Sequence, residues 1–141
     1  MISAAVVDAS VAIKWVVEEL HSEQARSLSS SRLEAPDLWP VECANILWKK
    51  VQFGDLTAAE ARAGLELLLQ APVSISDSRA LLPAALNLSF DLKHPVYDCL
   101  YLALALHLGI PFVTADRKLV HVARTHKRLA GALRLLSEVE N

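Results

Sequence analysis

Two acidic residues each follow a short apolar run that is typical of a buried strand. Asp8 comes directly after residues 4–7, and Asp116 comes after residues 110–114. A carboxylate next to a buried strand costs free energy unless it faces solvent or a site. In a parallel sheet, ligands bind where the carboxyl ends of the strands meet. The sequence therefore predicts that Asp8 and Asp116 face a binding site.

Two further acids lie in predicted helices that are otherwise apolar. Glu42 falls in the first turn of a helix predicted over residues 41–53, and Asp98 in the first turn of one over residues 95–107. A negative charge in a first turn is stabilised by the helix dipole. Either residue, taken singly, is therefore open to a purely helix-stabilising interpretation.

The chemistry of these four carboxylates points to a divalent cation. In one cleft they would repel one another, and a bound cation would relieve that repulsion. A ligand set of oxygen atoms selects Mg²⁺ or Mn²⁺ over zinc, and no histidine pairs with Cys43 or Cys99 at a zinc-site spacing. Carboxylate-bound Mg²⁺ is suited to phosphodiester hydrolysis. The spacing alone leaves open whether the four acids converge.

Alternating strand and helix patterns predict how these residues are positioned. Strands are predicted over residues 4–7, 73–75 and 110–114, with an edge strand over 133–136. Helices are predicted over about 10–20, 21–30, 41–53, 58–70, 78–88, 95–107 and 116–126. Buried strands that alternate with helices indicate an α/β fold with a parallel sheet.

Capping residues and turn formers set the predicted helix boundaries. Ser10 is expected to cap the first helix, and Pro36 and Pro40 to bracket a turn. Thr57 with Glu60 forms a capping-box pattern.

Composition narrows the class of protein. The 141 residues fit one domain, predicted over 1–141, and a hydrophobic fraction of 53% excludes a disordered chain. A net charge of −2 gives no global basic field. No apolar run reaches the ~20 residues of a membrane span. Two cysteines without a CxxC pattern or a secretory leader favour a soluble, reduced, cytoplasmic protein.

Basic residues are concentrated near the carboxyl end of the chain. The stretch from residue 117 to 134 contains no acid, and its charges could hold the phosphates of a nucleic acid. A solvated helix face is the alternative interpretation. The candidate RNA-backbone contacts are Arg117, Lys118, Arg124, Lys127 and Arg128.

Four segments, in this order along the chain, resemble the PIN-domain family, and within it the VapC-type toxins. They are residues 6–10, 40–47, 97–105 and 112–119, and the likeness extends over residues 1 to about 136. The resemblance implies a three-layer α/β/α sandwich with a central parallel sheet, usually in a homodimer.

The same resemblance implies roles for particular residues. Asp8 and Asp98 are expected to bind the metal directly, Glu42 to complete the site, and Asp116 to bind a second ion or a water. Three polar residues are expected to order water or the carboxylates: Ser10, Asn45 and Thr114.

The implied function is that of a Mg²⁺-dependent endoribonuclease, with Mn²⁺ able to substitute, acting as the toxin of a type II toxin–antitoxin module. Metal-activated water would cut RNA, and an antitoxin would block the acidic cleft. The alternatives are a DNA nuclease or phosphatase with the same four acids, and a catalytically silent module that binds RNA or protein.

Several other residues have weaker interpretations. Asp91, Lys93 and His94 are interpreted as loop residues, with substrate contact as the alternative. Three tryptophans, Trp15, Trp39 and Trp48, are expected to pack in the core, although Trp15 could instead line an antitoxin groove.

Overall fold

A computed structural model describes residues 2–140. In it, five strands form one sheet in which every pairing is parallel. The spatial order of the strands is β3-β2-β1-β4-β5. The strands are β1 (Ala4–Val7), β2 (Arg32–Pro36), β3 (Val73–Ser76), β4 (Phe112–Thr114) and β5 (Leu133–Leu135).

Helices cover both faces of this sheet, which confirms the predicted α/β/α sandwich. The helices are α1 (Ala9–Ala12), α2 (Ser22–Ser27), α3 (Trp39–Gln52), α4 (Ala58–Gln70), α5 (Leu82–Leu92), α6 (Val96–Leu108) and α7 (Arg117–Arg124). Successive strand residues point to opposite faces. Val6 therefore packs in the larger apolar cluster with α3 to α6, whereas Val7 packs in a smaller cluster with Leu28 and Leu136.

The side on which new strands are added to the sheet changes between β1 and β4, although all the strands remain parallel. The chain adds β2 and β3 on one side of β1, and then returns to add β4 and β5 on the other side. Val7 at the end of β1 pairs with Val113 of β4. In open α/β sheets such a reversal leaves a crevice outside the carboxyl ends of the strands, where ligands bind.

One strand, β2, is not predicted from the sequence. Its apolar residues Leu33 and Ala35 are buried, but Arg32, Glu34 and Pro36 interrupt the apolar pattern. The predicted turn between Pro36 and Pro40 is also wrong in part, because α3 begins at Trp39. Pro40 lies in its first turn, where a missing N–H is tolerated.

The start of the first helix differs from the prediction. Asp8, and not Ser10, is the N-cap of α1, and its side chain accepts a hydrogen bond from the N–H of Val11. The helix ends at Ala12, and a 3₁₀ turn continues it to Trp15 rather than to residue 20. Val16 and Val17 follow, and such β-branched residues favour a helix less than unbranched ones.

Two other predicted boundaries are confirmed to within one residue. Thr57 and Glu60 form the reciprocal hydrogen bonds of a capping box at the start of α4. Helix α6 ends at Leu108, one residue beyond the predicted end at residue 107, and Gly109 follows it in the left-handed conformation with φ of 68°. Across residues 2–140, each helix is either too short or too polar to cross a lipid bilayer.

Candidate metal centre

Asp8 lies at the crevice between β1 and β4. Its carboxylate accepts hydrogen bonds from the Ser10 hydroxyl at 2.6 Å, from the Val11 N–H at 3.2 Å, and from the Thr114 hydroxyl. The residue is only 7% exposed. Asp8 is therefore a nearly buried carboxylate held by three neutral donors.

The hydroxyls of Ser10 and Thr114 join the ends of the two strands. The Thr114 hydroxyl accepts from the Asp116 N–H at 3.1 Å while it donates to Asp8. The Ser10 hydroxyl similarly accepts from the Ala115 N–H at 3.3 Å while it donates to Asp8. Both residues thus fix the orientation of the Asp8 carboxylate relative to the segment that carries Asp116.

The protonation of Asp8 reflects its burial. Loss of hydration raises the pKa of Asp8 from its usual 3.8 to about 6, although the hydrogen bonds from Ser10, Thr114 and Val11 oppose this. The negative charge of Asp98 raises the pKa further. Asp8 and Asp98 are thus close enough to repel one another.

Glu42, in the first turn of α3, is half-buried and bonded to Tyr101 of α6. The Tyr101 hydroxyl donates to Oε1 of Glu42. Burial raises the pKa of Glu42, the bond from Tyr101 lowers it, and the charge of Asp98 raises it again. Burial and the neighbouring carboxylate also raise the pKa of Tyr101, which keeps the phenol protonated as a donor.

Asp98 and Asp116 approach each other in the crevice, together with His94. Nε2 of His94 lies 2.6 Å from Oδ2 of Asp98. One ligand atom from each of these three residues lies within 4.8 Å of the other two. Asp116 also caps α7 by accepting from the Leu119 N–H at 3.1 Å, which uses its Oδ1 atom.

The four predicted acids therefore form a chain of neighbours with Asp98 in common. Asp98 is close to Asp116 and acts electrostatically on both Asp8 and Glu42. Within residues 2–140, the compact group that could hold an ion contains Asp98 and Asp116 but neither Asp8 nor Glu42.

The donors in this crevice fit a hard divalent cation. Among the described residues, none of the four acids pairs with a lysine or an arginine, and the one histidine contact is that of the His94 imidazole with Asp98. Repulsion among carboxylates without Lys or Arg partners is relieved by a bound cation, and oxygen atoms are the ligands that Mg²⁺ prefers. The residues present are therefore suited to a divalent metal.

Asn45 stands apart from these contacts. Its side chain is exposed on α3, one turn after Glu42, and within residues 2–140 it forms no hydrogen bond to a carboxylate of the crevice. Its expected part in ordering water remains a prediction.

The five candidate RNA contacts divide into two groups. Arg124 forms an ion pair with Glu138 at 2.7 Å, and Arg128 forms one with Asp91 at 2.8 Å. The other three are exposed and have no ion pair within the described part of the chain: Arg117, Lys118 and Lys127. Arg117 and Lys118 open α7 directly after Asp116, so they are adjacent to the crevice.

Packing predictions near the site have mixed outcomes. Cys43 and Cys99, which follow two of the acids, are both buried as unpaired thiols, as the helix geometry implies. Trp39 is buried, and the half-buried Trp15 donates its indole N–H to the Ala25 carbonyl. The prediction for Trp48 is wrong, because this side chain is 57% exposed on α3.

Two residues of the crevice are not assigned to the metal centre by the sequence, although His94 is named there as a loop residue that could contact substrate. Tyr101 reads as one of several apolar positions of α6, yet its hydroxyl is the partner of Glu42. His94 precedes Pro95, which caps α6, and its ring reaches the third residue of that helix. A polar residue just before a helix with an acid at its third position is the signal that could have indicated this contact.

Comparison with known proteins identifies the family of the chain. The family model of the PIN domain matches residues 5–125. Ribonuclease VapC3 of Pyrobaculum aerophilum is 39% identical over 118 residues, which cover 81% of this chain and 90% of that protein. Ribonuclease VapC1 of Mycobacterium tuberculosis is 33% identical over 94 residues, which cover 65% of this chain and 68% of that protein.

Two solved structures share the fold at lower sequence identity. The crystal structure of PAE2754 from Pyrobaculum aerophilum matches with a TM-score of 0.71 and 23% identity, and covers 96% of this chain and 85% of that one. Mycobacterium tuberculosis VapC20, described as a toxin that cleaves the sarcin–ricin loop, matches with a TM-score of 0.64 and 15% identity, over 83% and 93% of the chains. On the family model and the VapC relatives together, the chain belongs to the PIN-domain family.

Proposed function

We propose that this chain is a Mg²⁺-dependent endoribonuclease that acts as the toxin of a toxin–antitoxin pair. The observation that carries the proposal is the nearly buried carboxylate of Asp8 at the β1–β4 crevice, which has Asp98 close by and no cationic partner within residues 2–140. Two relatives that carry the name ribonuclease support RNA as the substrate.

The residues of the crevice would divide the work of holding the ion and the substrate. Asp8, Asp98 and Glu42 would bind Mg²⁺, and Asp116 would bind a second ion or a water. When bound, Mg²⁺ lowers the pKa of water and offsets negative charge at the scissile phosphate. Ser10 and Thr114 hold Asp8 in a fixed orientation, and Tyr101 keeps its proton on the bond to Glu42.

We expect the substrate to be RNA with exposed loops. Sequence-specific recognition of RNA mostly targets single-stranded loops, whose unstacked bases a protein can contact. Such a substrate is found in the cytoplasm, which is where we expect the protein to act.

The decisive experiment compares Asp8→Asn with Asp55→Asn, an exposed acid in the turn between α3 and α4. Each purified protein is incubated with ribosomal RNA and with a single-stranded RNA oligonucleotide in Mg²⁺. Asp8→Asn should cleave at least about 100-fold more slowly, since even residues that support metal ligands contribute 10–100-fold. Asp55→Asn should match wild type, and EDTA should abolish cleavage.

The same assay separates the alternatives. Equal cleavage of a DNA oligonucleotide of the same sequence would favour a DNA nuclease, and release of phosphate from a phosphomonoester would favour a phosphatase. RNA binding without cleavage in either Mg²⁺ or Mn²⁺ would favour a silent module. Near-wild-type cleavage by folded Asp8→Asn would show that the crevice is not the active site.

The antitoxin is expected to bind beside the acidic crevice. An apolar groove of about 370 Å³ lies between α3 and α4, and begins at Ala44, two residues after Glu42. The exposed Trp48 lines this groove, whereas Phe53, which is 80% exposed at the end of the same helix, does not. An apolar segment of the antitoxin would bind in this groove. A second part of the antitoxin would have to pass round α3 to reach the carboxylates, because residues two apart lie on different sides of a helix.

The product of the gene next to the coding sequence tests the antitoxin proposal. We expect that gene to encode a small protein with a DNA-binding amino-terminal part, and we expect this protein to co-purify with the chain. Trp48→Ala should weaken the complex, and Phe53→Ala should not. A neighbouring protein that binds both variants equally would exclude the groove as its docking site.

Self-association is the remaining expectation. Three exposed apolar side chains, Leu82, Leu86 and Phe90, recur every fourth residue along α5 and form one stripe. We propose this stripe as the surface that pairs with a second copy. Sedimentation should show a dimer for wild type and a monomer for Leu86→Lys. A wild-type monomer at high concentration would contradict the proposal.

A further inference from the structure

His94 is fixed in place between α5 and α6. Its N–H donates to the Ser89 carbonyl at 3.3 Å, and its carbonyl accepts from the Ser89 hydroxyl at 2.5 Å. Its side chain is only 9% exposed. Since both the backbone and the ring are held, the imidazole has a defined position and is not a freely moving loop residue.

The ring is directed into the space that Asp98 and Asp116 share. Nε2 lies 2.6 Å from Asp98 Oδ2, and ligand atoms of all three residues lie within 4.8 Å of one another. Around an octahedral ion with bonds of about 2.1 Å, neighbouring ligand atoms are about 3 Å apart and opposite ones about 4.2 Å apart. Small shifts of the three side chains would therefore bring their ligand atoms to the separations of a coordination shell.

The charge of the crevice also favours a nitrogen ligand here. Four carboxylates already exceed the charge of a single divalent ion, so a further ligand without charge adds an electron pair and no repulsion. Neutral imidazole supplies such a ligand. It binds first-row transition ions well, whereas Mg²⁺ prefers oxygen donors.

We propose that His94 is a metal ligand of this chain, on the Asp98–Asp116 side of the crevice, and that it gives the site a preference for Mn²⁺ over Mg²⁺. The inference deepens the proposed function, because it rests on the same metal centre. Nε2 of His94 would then bind the ion in place of its hydrogen bond with Asp98. Asp98 keeps its carboxylate for the same ion.

A titration with the metals alone tests this assignment on the full chain. Free Mn²⁺ is measured by electron paramagnetic resonance, and Mg²⁺ affinity follows from competition. His94→Gln should raise the Mn²⁺ dissociation constant by about 10-fold or more, the range seen for groups that support metal ligands. The Mg²⁺ constant should rise less than about 3-fold, because Mg²⁺ gains less from imidazole.

His107→Gln is the matched control, because His107 is exposed at the opposite end of α6 from Asp98. It should leave both constants at their wild-type values. Equal losses for Mn²⁺ and Mg²⁺ in His94→Gln would mean that His94 only orients Asp98, and would overturn the proposal. Unchanged constants in that variant would overturn it as well.

A second measurement needs no variant at His94. Electron spin echo modulation of Mn²⁺ bound to the wild-type protein should contain the coupling of a directly bound imidazole nitrogen. Tight Mn²⁺ binding without that coupling, in a protein that cleaves RNA, would overturn the role of His94 and leave the nuclease proposal standing. The nitrogen coupling in a protein that cleaves no RNA would support His94 as a metal ligand and overturn the nuclease proposal.

Discussion

Two partly or largely buried carboxylates in this molecule, Glu19 and Asp8, have their negative charge stabilised in different ways. Glu19 binds Lys14 at 2.9 Å through one oxygen and Lys50 at 2.7 Å through the other. Asp8, at the β1–β4 crevice, has three neutral hydrogen-bond donors and the negative Asp98 nearby. The protein itself supplies the counter-charge for Glu19, whereas the crevice lacks one.

The pKa values of the two carboxylates move in opposite directions. Burial would raise the pKa of Glu19, but the hydrogen bonds and charges of Lys50 and Lys14 outweigh it and hold the pKa below its usual range. For Asp8, burial outweighs the hydrogen bonds and raises the pKa to about 6. The comparison teaches that a carboxylate paired with lysine stabilises the fold, and that one left without a cation is prepared to bind one.

The largest expected effect is on metal-free stability as a function of pH. Folded Asp8 keeps its proton up to about pH 6, whereas the unfolded chain loses it near 3.8, so the free energy of unfolding falls as pH rises through this window. At about 1.4 kcal/mol per pH unit, the loss approaches 3 kcal/mol. Urea unfolding in EDTA between pH 4 and pH 7 measures it.

Asp8→Asn provides the reference for that experiment, since it cannot titrate at this position. Glu19 contributes with the opposite sign, because a carboxylate whose pKa is lowered stabilises the fold above its usual pKa and loses that effect as pH falls. If the free energy of unfolding of the wild type had the same pH dependence as that of Asp8→Asn, the raised pKa assigned to Asp8 would be wrong.

The next effect is the response to a divalent ion. A ligand present at about a hundred times its dissociation constant stabilises the fold by about 2.7 kcal/mol. For a chain of this length that is about 5–10 °C in melting temperature. Mn²⁺ should raise the melting temperature of wild type and Glu19→Gln but not that of Asp98→Asn, and NaCl of equal ionic strength should not. If Mn²⁺ still raised the melting temperature of Asp98→Asn, the ion would bind outside this crevice.

A matched pair of substitutions, at Glu19 and Glu42, should change the stability of the fold in opposite directions. Glu19→Gln leaves two lysines without their partner, and should lower the metal-free unfolding free energy by about 1–3 kcal/mol, less than for a fully buried pair. Glu42→Gln keeps an oxygen for Tyr101 and removes a charge that the fold disfavours, so it should raise that free energy by less than about 1 kcal/mol. Denaturant unfolding at pH 8 measures both, and equal signs would refute the distinction.

The smallest effect concerns cations without an acidic partner. Arg117 and Lys118 follow Asp116 and have no ion pair within residues 2–140, whereas Arg124 and Arg128 do. Alanine at both Arg117 and Lys118 should lower the log–log salt slope of RNA binding by about 1–2, at about 0.7 per lost contact with a single strand. The Arg124→Ala, Arg128→Ala control should change it less. The opposite ranking would move the RNA path toward the end of α7.

The predictability of each site residue depends on how local its signal is. Asp8 and Asp116 are predictable because each follows an apolar strand, and the parallel sheet brings those strand ends together. The contact of Tyr101 with Glu42 spans 59 residues of sequence, and no periodicity in α6 distinguishes that tyrosine from its apolar neighbours. Long-range side-chain contacts of this kind require the packed helices.

The errors in the fold have similarly local causes. Strand β2 is missed in the sequence because Arg32 and Glu34 alternate with its apolar residues and Pro36 is its last residue. The N-cap of α1 is wrongly predicted at Ser10 because serine is a favoured N-cap residue and Asp8 is interpreted as a metal ligand. In the structure Asp8 is itself the N-cap. Trp48 is misjudged because a tryptophan in an apolar helix resembles a core residue even where a groove leaves it exposed.

The pairing of β1 with β4 determines when the crevice can form during synthesis. The hydrogen bond from Thr114 to Asp8 joins residues that are 106 positions apart. A nascent chain that has emerged only as far as α6 contains three of the four acids but neither Thr114 nor Asp116, and β1 has no β4 beside it. The candidate metal centre is thus completed only after β4 and Asp116 have emerged and β4 has packed beside β1. A nascent chain that ends before this point would lack both the fourth carboxylate and the hydroxyl that orients Asp8.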